Sequence, residues 1–382
     1  MTTKIVIGAG FGDEGKGMFT NYLCSLFSNN KDLVVRFNGG QQAGHTVVKN
    51  NFRHVFSSFG SGTLNGNNTY WSKHCTINPQ SLLNELAILL VNKISPLVYI
   101  DSKCPITTPL DINYNKLAEF ENKHGSCGVG FGATIERELN LYSLTFEDLF
   151  FPSILKMKLE GIREYYNNKT EMKDYLRFGE IDFKEFIEDC LLITGSPYIK
   201  KTYEIPENYE YIFEGAQGLL LDQNYGFYPN VTWSDTGTKN ILNSFSKCLD
   251  ENTEVYLVSR AYQTRHGNGF MTNENIPHNI TPNIRETNIK NAQGDFRRTL
   301  LDVSLLEYAI KKDDYIRSTK NLNLVITCLD HIKNELRFTY KNKILSFSNE
   351  NEYIEKIGKI LNINSIYICS DEEGKTIQHL TK

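Results

Sequence analysis

A glycine-rich segment near the start of the chain carries the residues best suited to phosphate chemistry. Residues 8–17 read Gly-Ala-Gly-Phe-Gly-Asp-Glu-Gly-Lys-Gly, directly after the strand-like residues 4–7. A buried strand followed by a glycine-rich turn and a helix brings backbone N–H groups close to an anion, so this segment predicts a phosphate cradle. Asp13 and Glu14 are unusual there, because a simple anion site would exclude carboxylates. They indicate a metal ion, or removal of a proton from the bound ligand.

Two familiar nucleotide-binding patterns fit this segment only in part. Residues 10–15 satisfy the dinucleotide pattern G-x-G-x-x-G, but its acidic partner would be Asp32, which precedes the second predicted strand instead of ending it. Residues 10–16 satisfy the G-x-x-x-x-G-K of a P-loop, but Gly17 stands where Ser or Thr would hold magnesium. An NAD-dependent dehydrogenase is therefore a remote alternative.

Two further glycine-rich turns supply a histidine and hydroxyl groups. Residues 38–46 (Asn-Gly-Gly-Gln-Gln-Ala-Gly-His-Thr) follow the second predicted strand and place His45 at the same sheet edge as Asp13. His45 alone could be a structural histidine in a tight turn. Together with Asp13 and Lys16, it predicts an acid–base pair beside a phosphate-binding cation. Residues 124–134 hold four glycines with interleaved hydroxyls, which suits either a loop around a phosphate or a glycine-rich surface loop.

Three strand ends add groups that could bind a purine base. Gln217 lies in Phe-Glu-Gly-Ala-Gln-Gly (213–218), and its amide has both the donor and the acceptor that a purine edge requires. Residues 264–269 read Thr-Arg-His-Gly-Asn-Gly, and residues 327–330 read Thr-Cys-Leu-Asp. Asp330 could accept two N–H bonds from a guanine, although it could equally be a helix N-cap.

The order of apolar segments predicts the elements that position these groups. Strands are expected at residues 4–7, 33–37, 97–100, 211–213, 255–258, 322–327 and 366–369. Helices are expected near 15–29, 80–93, 172–194 and 300–311. This alternation predicts an α/β protein with a mostly parallel central sheet covered by helices, and with ligands at the carboxyl ends of its strands.

The sequence contains fewer signals for the domain organisation than for the strands and helices. Residues 335–346 alternate apolar and polar side chains and predict a small antiparallel hairpin. We expect one domain over residues 1–382, with a more helical insertion around 115–195.

Composition excludes several classes of protein. The net charge of −4 gives no reason to expect nucleic-acid binding, and no apolar run is long enough to span a membrane. The N-terminus leads directly into a strand, so we expect no signal peptide and a cytoplasmic location. The eight cysteines show neither C-x-x-C nor zinc-ligand spacing, which is typical of free thiols in a reducing compartment. Cys127 has no identifiable histidine partner that would make it a nucleophile.

In their order along the chain, these motifs resemble those of the adenylosuccinate synthetase family. Residues 12–17 match its G-D-E-G-K-G in full, and residues 39–46 match G-G-x-N-A-G-H-T with Gln42 where the family usually has Asn. F-E-G-A-Q-G, T-R-x-G-x-G and T-K-L-D correspond to residues 213–218, 264–269 and 327–330. The resemblance covers most of the chain and implies the fold of that family, with a core similar to that of P-loop NTPases.

The resemblance implies a ligase that joins L-aspartate to C6 of IMP, with GTP or ATP as phosphoryl donor and Mg²⁺ as cofactor. It implies that Asp13 removes the N1 proton of the purine, that O6 then attacks the γ-phosphate, and that aspartate displaces phosphate from the 6-phosphoryl intermediate. His45 would protonate the bridging oxygen, Lys16 would neutralise phosphoryl charge, and Gln217 would contact the nucleotide beside them. Asp13 and the backbone carbonyl of Gly44 would hold the metal ion.

The resemblance also implies binding residues. Those expected to bind the nucleotides are Gly12, Glu14, Gly15, Gly17, Gln42, Ser126, Cys127, Thr232, Asp330 and Ser370. Among them, Ser126 would contact the 5′-phosphate and Asp330 the base of the triphosphate. Arg297 and Arg298 would bind the carboxylates of L-aspartate, because arginine suits bidentate carboxylate recognition. Family members are usually homodimers, so we expect a homodimer.

The chain departs from the family at three basic positions. The family's T-T-G-R-x-R-R loop corresponds to residues 293–302, which lack the T-T-G-R part and with it the arginine that approaches the ribose 2′-hydroxyl. Cys328 replaces the lysine of T-K-L-D, which leaves the choice between GTP and ATP open. The arginine of T-G-R-G-I-G is missing from residues 126–132, and Arg137 could supply its charge.

These departures leave alternatives for the substrate. A compact branch of the superfamily, found in bacteriophages, aminates dGMP with aspartate on the way to 2-aminoadenine in DNA. Its best-known members carry a small residue in place of Asp13, so Asp13 favours IMP, whereas the shortened arginine loop favours a deoxynucleotide. We expect IMP and keep dGMP as the alternative. A nucleotide-binding protein without ligase activity is a third hypothesis. It is disfavoured by the retention of Asp13, Lys16, His45 and Gln217.

Overall fold

Strands and helices alternate along most of the chain. The computed structural model describes residues 3–26, 32–122, 125–169, 181–281 and 295–381. The strands are β1 (Lys4–Gly8), β2 (Asp32–Arg36), β3 (His45–Lys49), β4 (Phe52–Phe56), β5 (Asn68–Trp71), β6 (Val98–Asp101), β7 (Ile199–Thr202), β8 (Glu210–Gly218), β9 (Glu254–Arg260), β10 (Tyr262–His266), β11 (Phe296–Asp302), β12 (Leu322–Thr327), β13 (Arg337–Tyr340), β14 (Lys343–Ser346), β15 (Ser365–Ile368) and β16 (Gln378–Thr381). The α-helices are α1 (Lys16–Ser25), α2 (Pro79–Val91), α3 (Pro109–Asn122), α4 (Phe131–Leu139), α5 (Pro152–Lys169), α6 (Lys184–Gly195), α7 (Lys239–Phe245), α8 (Val303–Lys312), α9 (Asp314–Ser318) and α10 (Glu350–Leu361).

A ten-stranded sheet forms the centre of the fold, in the order β16-β15-β12-β9-β1-β8-β2-β5-β6-β7. All neighbours in it run parallel except the edge pair β15–β16. Every residue of β1 and β2 is buried, because both faces of a parallel sheet are covered. The predicted α/β architecture is therefore confirmed. Since β1 lies between β8 and β9, the carboxyl ends of these strands bring distant motifs to one edge.

The second sheet has four strands in the order β10-β11-β13-β14, and β3 pairs with β4 in a separate antiparallel hairpin. The predicted hairpin over residues 335–346 is confirmed as the antiparallel pair β13–β14. The predicted helix over 300–311 was wrong at its start, because residues 300–302 complete β11. Asp302 then caps α8, accepting a hydrogen bond from the Ser304 N–H at 2.9 Å.

The other predicted helices can be compared with the structure only where their residues are described, and there they agree with it. Helix α1 ends at Ser25, and residues 27–29 of its predicted range lie outside the described residues, as do residues 172–180 of the predicted helix 172–194. Four helices, α3 to α6, lie mostly within residues 115–195, while the single-domain assignment stays a prediction. None of the described helices is long and apolar enough to cross a membrane.

Candidate active site

A cavity of about 1210 Å³ opens at the carboxyl ends of the central strands. Its wall is built by the segments that follow β1, β2, β8 and β12, together with the start of α4. The predicted site residues that line it are Gly12, Asp13, Glu14, Gly15, Lys16, Gly17, Gln42, Gly44, His45, Ser126, Cys127, Gln217, Thr232, Asp330 and Ser370. The fold thus brings together predicted residues from across the chain, and their individual roles stay predictions.

In the glycine-rich loop after β1, the carboxylate of Glu14 binds backbone N–H groups of the same loop. Glu14 Oε1 accepts hydrogen bonds from the backbone N–H groups of Gly10 (3.0 Å) and Gly12 (2.8 Å), and both Glu14 and Lys16 are buried. The ammonium of Lys16 lies 2.5 Å from Glu14 Oε2. Glu14 therefore binds two backbone N–H groups of the segment that we predicted to bind a phosphate. It also holds Lys16 in place. Lys16, at the start of α1, still lines the cavity.

Asp13 lies at the tip of this loop and reaches into the cavity. Its backbone has a left-handed φ of 60°, and its carbonyl oxygen accepts a hydrogen bond from Arg260 Nε at 2.5 Å. Its carboxylate Oδ2 lies 3.0 Å from His266 Nε2, while 41% of the side-chain surface remains exposed. Burial by itself raises the pKa of Asp13, but the contact with His266 and the charges of Arg260 and Lys16 outweigh burial and lower it. The carboxylate is ionised at neutral pH and can accept a proton from a ligand.

His45 faces the cavity from the start of β3, with a buried carboxylate behind it. Its Nδ1 lies 2.7 Å from Oε1 of Glu214, a fully buried residue of β8 that also accepts hydrogen bonds from the backbone N–H (3.1 Å) and the hydroxyl of Ser61. Burial and the charges of Arg36 and Lys16 together lower the pKa of His45 despite its contact with Glu214, so the ring is neutral and donates Nδ1–H to Glu214. Nε2 is then the unprotonated nitrogen.

Arg36 completes this buried group of charges. Its side chain is fully buried, its guanidinium carbon lies 5.0 Å above the Trp71 ring, and among the described residues its nitrogens have no hydrogen-bond partner. Burial raises the pKa of Glu214, but the contact with His45, the charge of Arg36 and the hydrogen bond from Ser61 outweigh burial and bring it down to about 2. Glu214 is therefore a permanent anion between two basic groups, and its charge fixes the tautomer of His45.

Two amide side chains in the cavity have unused hydrogen-bonding capacity. Gln217 has a left-handed φ of 64°, and its Oε1 is buried without a partner among the described residues. Both polar atoms of the Gln42 side chain are likewise buried and unpartnered within the part of the chain that the structure describes. Buried amides without partners cost free energy, so this wall is suited to a polar ligand such as a purine nucleotide.

The start of α4 closes one side of the cavity. Gly130 takes a left-handed conformation at its N-cap, and Ser126 and Cys127 precede it on the wall. Burial raises the pKa of the Cys127 thiol, which argues against a nucleophilic thiolate. The suggestion that Arg137 supplies the missing phosphate-binding charge was wrong: Arg137 is fully buried and ion-paired with Asp111 at 2.9 Å. It does not line the cavity.

The far end of the cavity holds the residues expected to bind the triphosphate base. The Thr327 hydroxyl donates to the Glu14 carbonyl oxygen at 2.8 Å, so the end of β12 is tied to the loop after β1. The carboxylate of Asp330 is about one third exposed, and His331 Nε2 lies 3.5 Å from its Oδ2. Cys328 and Ser370 also line this end.

Arg297 and Arg298 lie on β11, beside the cavity wall but not among the residues that form it. Arg297 pairs with Glu274 at 2.7 Å and donates to the Gly269 carbonyl oxygen at 2.8 Å. The guanidinium carbon of Arg298 lies 4.7 Å above the Phe296 ring. Residues 293 and 294 of the predicted aspartate-binding segment fall outside the described residues, so its role in binding aspartate stays a prediction.

The cavity suits a magnesium ion that is bound largely by phosphate oxygens. Within the described ranges there is no group of three or more Asp, Glu, His or Cys side chains that could enclose a metal ion. Mg²⁺ is commonly held by one or two carboxylates together with substrate phosphates. Asp13, with its partly exposed carboxylate, and Gly44, whose backbone lines the same cavity, fit that donor set.

Two functional candidates escaped the sequence analysis. His266 was noted only as part of Thr-Arg-His-Gly-Asn-Gly, and its contact with Asp13 joins residues that are far apart in the chain. Glu214 lies in Phe-Glu-Gly-Ala-Gln-Gly but received no role. A signal for it was present, because an isolated acidic residue in an otherwise apolar strand requires a buried partner.

Comparisons with known proteins agree with the motifs. A family described as adenylosuccinate synthetase matches residues 5–369. The adenylosuccinate synthetase of Thermoplasma volcanium is 32% identical over 332 residues, which cover 82% of this chain and 73% of the relative. Fully ligated adenylosuccinate synthetase from Plasmodium falciparum has a TM-score of 0.77 at 18% identity, with 100% of both chains covered. Cyanophage S-2L succinoaminodeoxyadenylate synthetase, bound to dGMP and to dATP as an energy donor, has a TM-score of 0.64 at 14% identity, covering 100% of this chain and 96% of that one.

Proposed function

The chain belongs to the adenylosuccinate synthetase family, and from this premise we propose that it joins L-aspartate to C6 of IMP with GTP as phosphoryl donor. It is a ligase that forms a carbon–nitrogen bond. One observation supports the assignment above the others: Asp13, Lys16, His45 and Gln217 come from three separate segments and line one cavity. A carboxylate base, a cation and an imidazole around one space are the groups that a phosphoryl transfer to a purine oxygen requires.

The first step activates the purine. Asp13 accepts the N1 proton, and the electron pair moves to O6, which forms a bond to the γ-phosphorus while the bond from that phosphorus to the β,γ-bridging oxygen breaks. Lys16, held by Glu14, balances negative charge on the transferred phosphoryl group. Gln217, whose Oε1 is buried without a partner among the described residues, binds the purine edge.

His45 changes its protonation with the ligand in this scheme. Its ring is neutral in the structure, with Nδ1–H directed to Glu214. The negative charge of a triphosphate beside Nε2 raises the pKa of the ring, so binding favours the doubly protonated form. The imidazolium then donates to the bridging oxygen as charge develops on the leaving diphosphate. Glu214 stabilises that cation from behind.

The second step forms the carbon–nitrogen bond. The amine of L-aspartate attacks C6, and inorganic phosphate leaves with the O6 oxygen. Arg297 and Arg298 are proposed to bind the aspartate carboxylates, and Arg297 would exchange its pairing with Glu274 for the ligand. Ser126 is proposed to bind the 5′-phosphate of the purine nucleotide, and Thr232 to contact the nucleotide.

The cofactor and the triphosphate are proposed from the same family relationship. Asp13 and the Gly44 carbonyl would hold Mg²⁺, which would neutralise charge on the phosphates. Asp330 would bind the base of GTP through its exposed carboxylate, and ATP is an alternative because Cys328 replaces the family's lysine. A homodimer and a cytoplasmic location are proposed on family grounds as well.

The deciding experiment measures phosphate release that depends on L-aspartate and Mg²⁺, with IMP and dGMP each combined with GTP and ATP. We expect turnover with IMP and GTP, and its loss in Asp13→Ala. Turnover with dGMP alone would replace IMP by the alternative substrate. Binding of nucleotides without phosphate release would support a non-catalytic binding protein.

A further inference from the structure

The side chain of His266 makes a direct contact with the proposed base. His266 ends β10 and lines the same cavity as Asp13. Its Nε2 lies 3.0 Å from Asp13 Oδ2, which is within ion-pair and hydrogen-bond distance. The two residues meet because β9 pairs with β1 and β10 follows β9 after a single residue.

The imidazole of His266 is itself held firmly. His266 pairs across the β10–β11 ladder with Phe296, and the centroids of the two rings lie 4.4 Å apart at an interplanar angle of 36°. The guanidinium carbons of Arg260 (5.7 Å) and Arg298 (4.7 Å) lie over the Phe296 ring. Arg260 also donates to the Asp13 carbonyl oxygen at 2.5 Å. The backbone and the carboxylate of Asp13 are therefore anchored from the same side.

We infer that His266 is a positioning residue that holds the Asp13 carboxylate through Oδ2, so that Oδ1 is directed to the purine N1 proton while the carboxylate keeps further lone pairs for Mg²⁺. This inference rests on the proposed function. A carboxylate on a glycine-rich loop can rotate, and an acid–base group is effective only when its oxygen is held within hydrogen-bond reach of the proton. Lys16 balances charge on the phosphoryl group and Gln217 binds the purine edge, whereas His266 orients the carboxylate of Asp13.

The test compares two variants of His266 with one control variant. His266→Gln keeps an N–H donor close to the position of Nε2, whereas the amide of His266→Asn is too short to reach Asp13. We expect His266→Asn to lower kcat by roughly 10–100-fold and His266→Gln to retain most of it, with the directly measured affinities for IMP and GTP changed by less than about threefold. His278 provides the control, because its Nε2 lies 3.1 Å from the Arg298 carbonyl oxygen outside the cavity wall. His278→Asn should leave kcat unchanged.

A second measurement is independent of turnover. Urea unfolding of His266→Asn, Asp13→Asn and the double variant forms a double-mutant cycle, and the double variant should lose less stability than the sum of the single losses. Additive losses, equal kcat in the Asn and Gln variants, or equal effects of His266→Asn and His278→Asn would each overturn the inference. If the unaltered protein releases no phosphate while the cycle shows coupling, the proposed function fails and the contact between the two side chains stands.

Discussion

Glu214 offers a sharp test of how the buried charges support catalysis. The variant Glu214→Gln keeps the shape of the side chain but removes its charge, so His45 loses the anion that fixes its tautomer. Arg36, which has no hydrogen-bond partner among the described residues, is left as a buried cation without its neighbouring carboxylate. Both stability and turnover should fall.

The magnitude follows from the pKa of Glu214. The difference between the ordinary value of 4.5 and about 2 corresponds to about 3 kcal/mol of stabilisation at neutral pH. Removing one partner of a buried ion pair costs about 3–5 kcal/mol by general experience, which agrees in size. Because the folded-state pKa is the lower one, this stabilisation is present above pH 4.5 and disappears as the pH falls toward 2. Glu214→Gln should therefore lose less stability than the unaltered protein when the pH falls from 4.5 toward 2.

The assays are urea unfolding and steady-state phosphate release. Glu214→Gln should unfold with about 3 kcal/mol less free energy and show kcat lowered by roughly 100-fold or more, as expected when a proton-transferring histidine is no longer held. Glu85→Gln is the matched control, because Glu85 is also buried, accepts from the Ser57 hydroxyl at 2.8 Å and lies 3.5 Å from His54, but does not line the cavity. That control should lose stability and keep kcat. If both variants lose stability and neither loses kcat, the assigned role of Glu214 is refuted.

Three further predictions concern other charged groups. Arg137→Met should lower the unfolding free energy by about 3–5 kcal/mol, because it leaves the buried Asp111 without its ion-pair partner. The affinity for IMP, measured by calorimetry, should stay the same. Weaker IMP binding by a folded variant would contradict this prediction. Burial raises the pKa of Asp32 from its ordinary 3.8 to about 6, so the cost of its charge begins above pH 3.8 and is complete above pH 6; Asp32→Asn should raise Tm at pH 8 and have no effect below pH 3.8, and equal shifts at both would oppose it. Asp330→Asn should raise the KM for GTP about tenfold or more and leave the KM for IMP unchanged, and a rise in the KM for IMP alone would place Asp330 elsewhere.

Local sequence patterns were sufficient for the central sheet and for the cavity wall. Apolar runs identified most of the parallel strands, and glycine-rich turns at their ends marked where ligands could approach. Parallel strands end at one edge, so residues as far apart as Lys16 and Gln217 could be placed together without knowing the strand order.

Pairings between distant side chains could not be predicted in the same way. Arg137 was taken for a ligand-binding group because nothing local reveals Asp111, which neutralises it in the core. The contact of His266 with Asp13 depends on where the second sheet lies, and the spacing of residues along the chain does not predict that position. The exact start of α8 was missed because Leu300 and Leu301 are apolar and suit either a helix or a strand.

The strand order of the central sheet has a consequence for synthesis of the protein. The loop after β1 is joined to Thr327 through the Glu14 carbonyl oxygen, and Ser370 lines the same cavity as residue 13. A growing chain on the ribosome therefore exposes its first glycine loop long before its partners exist. Nucleotide binding can therefore stabilise the complete cavity only after residues near 370 have emerged.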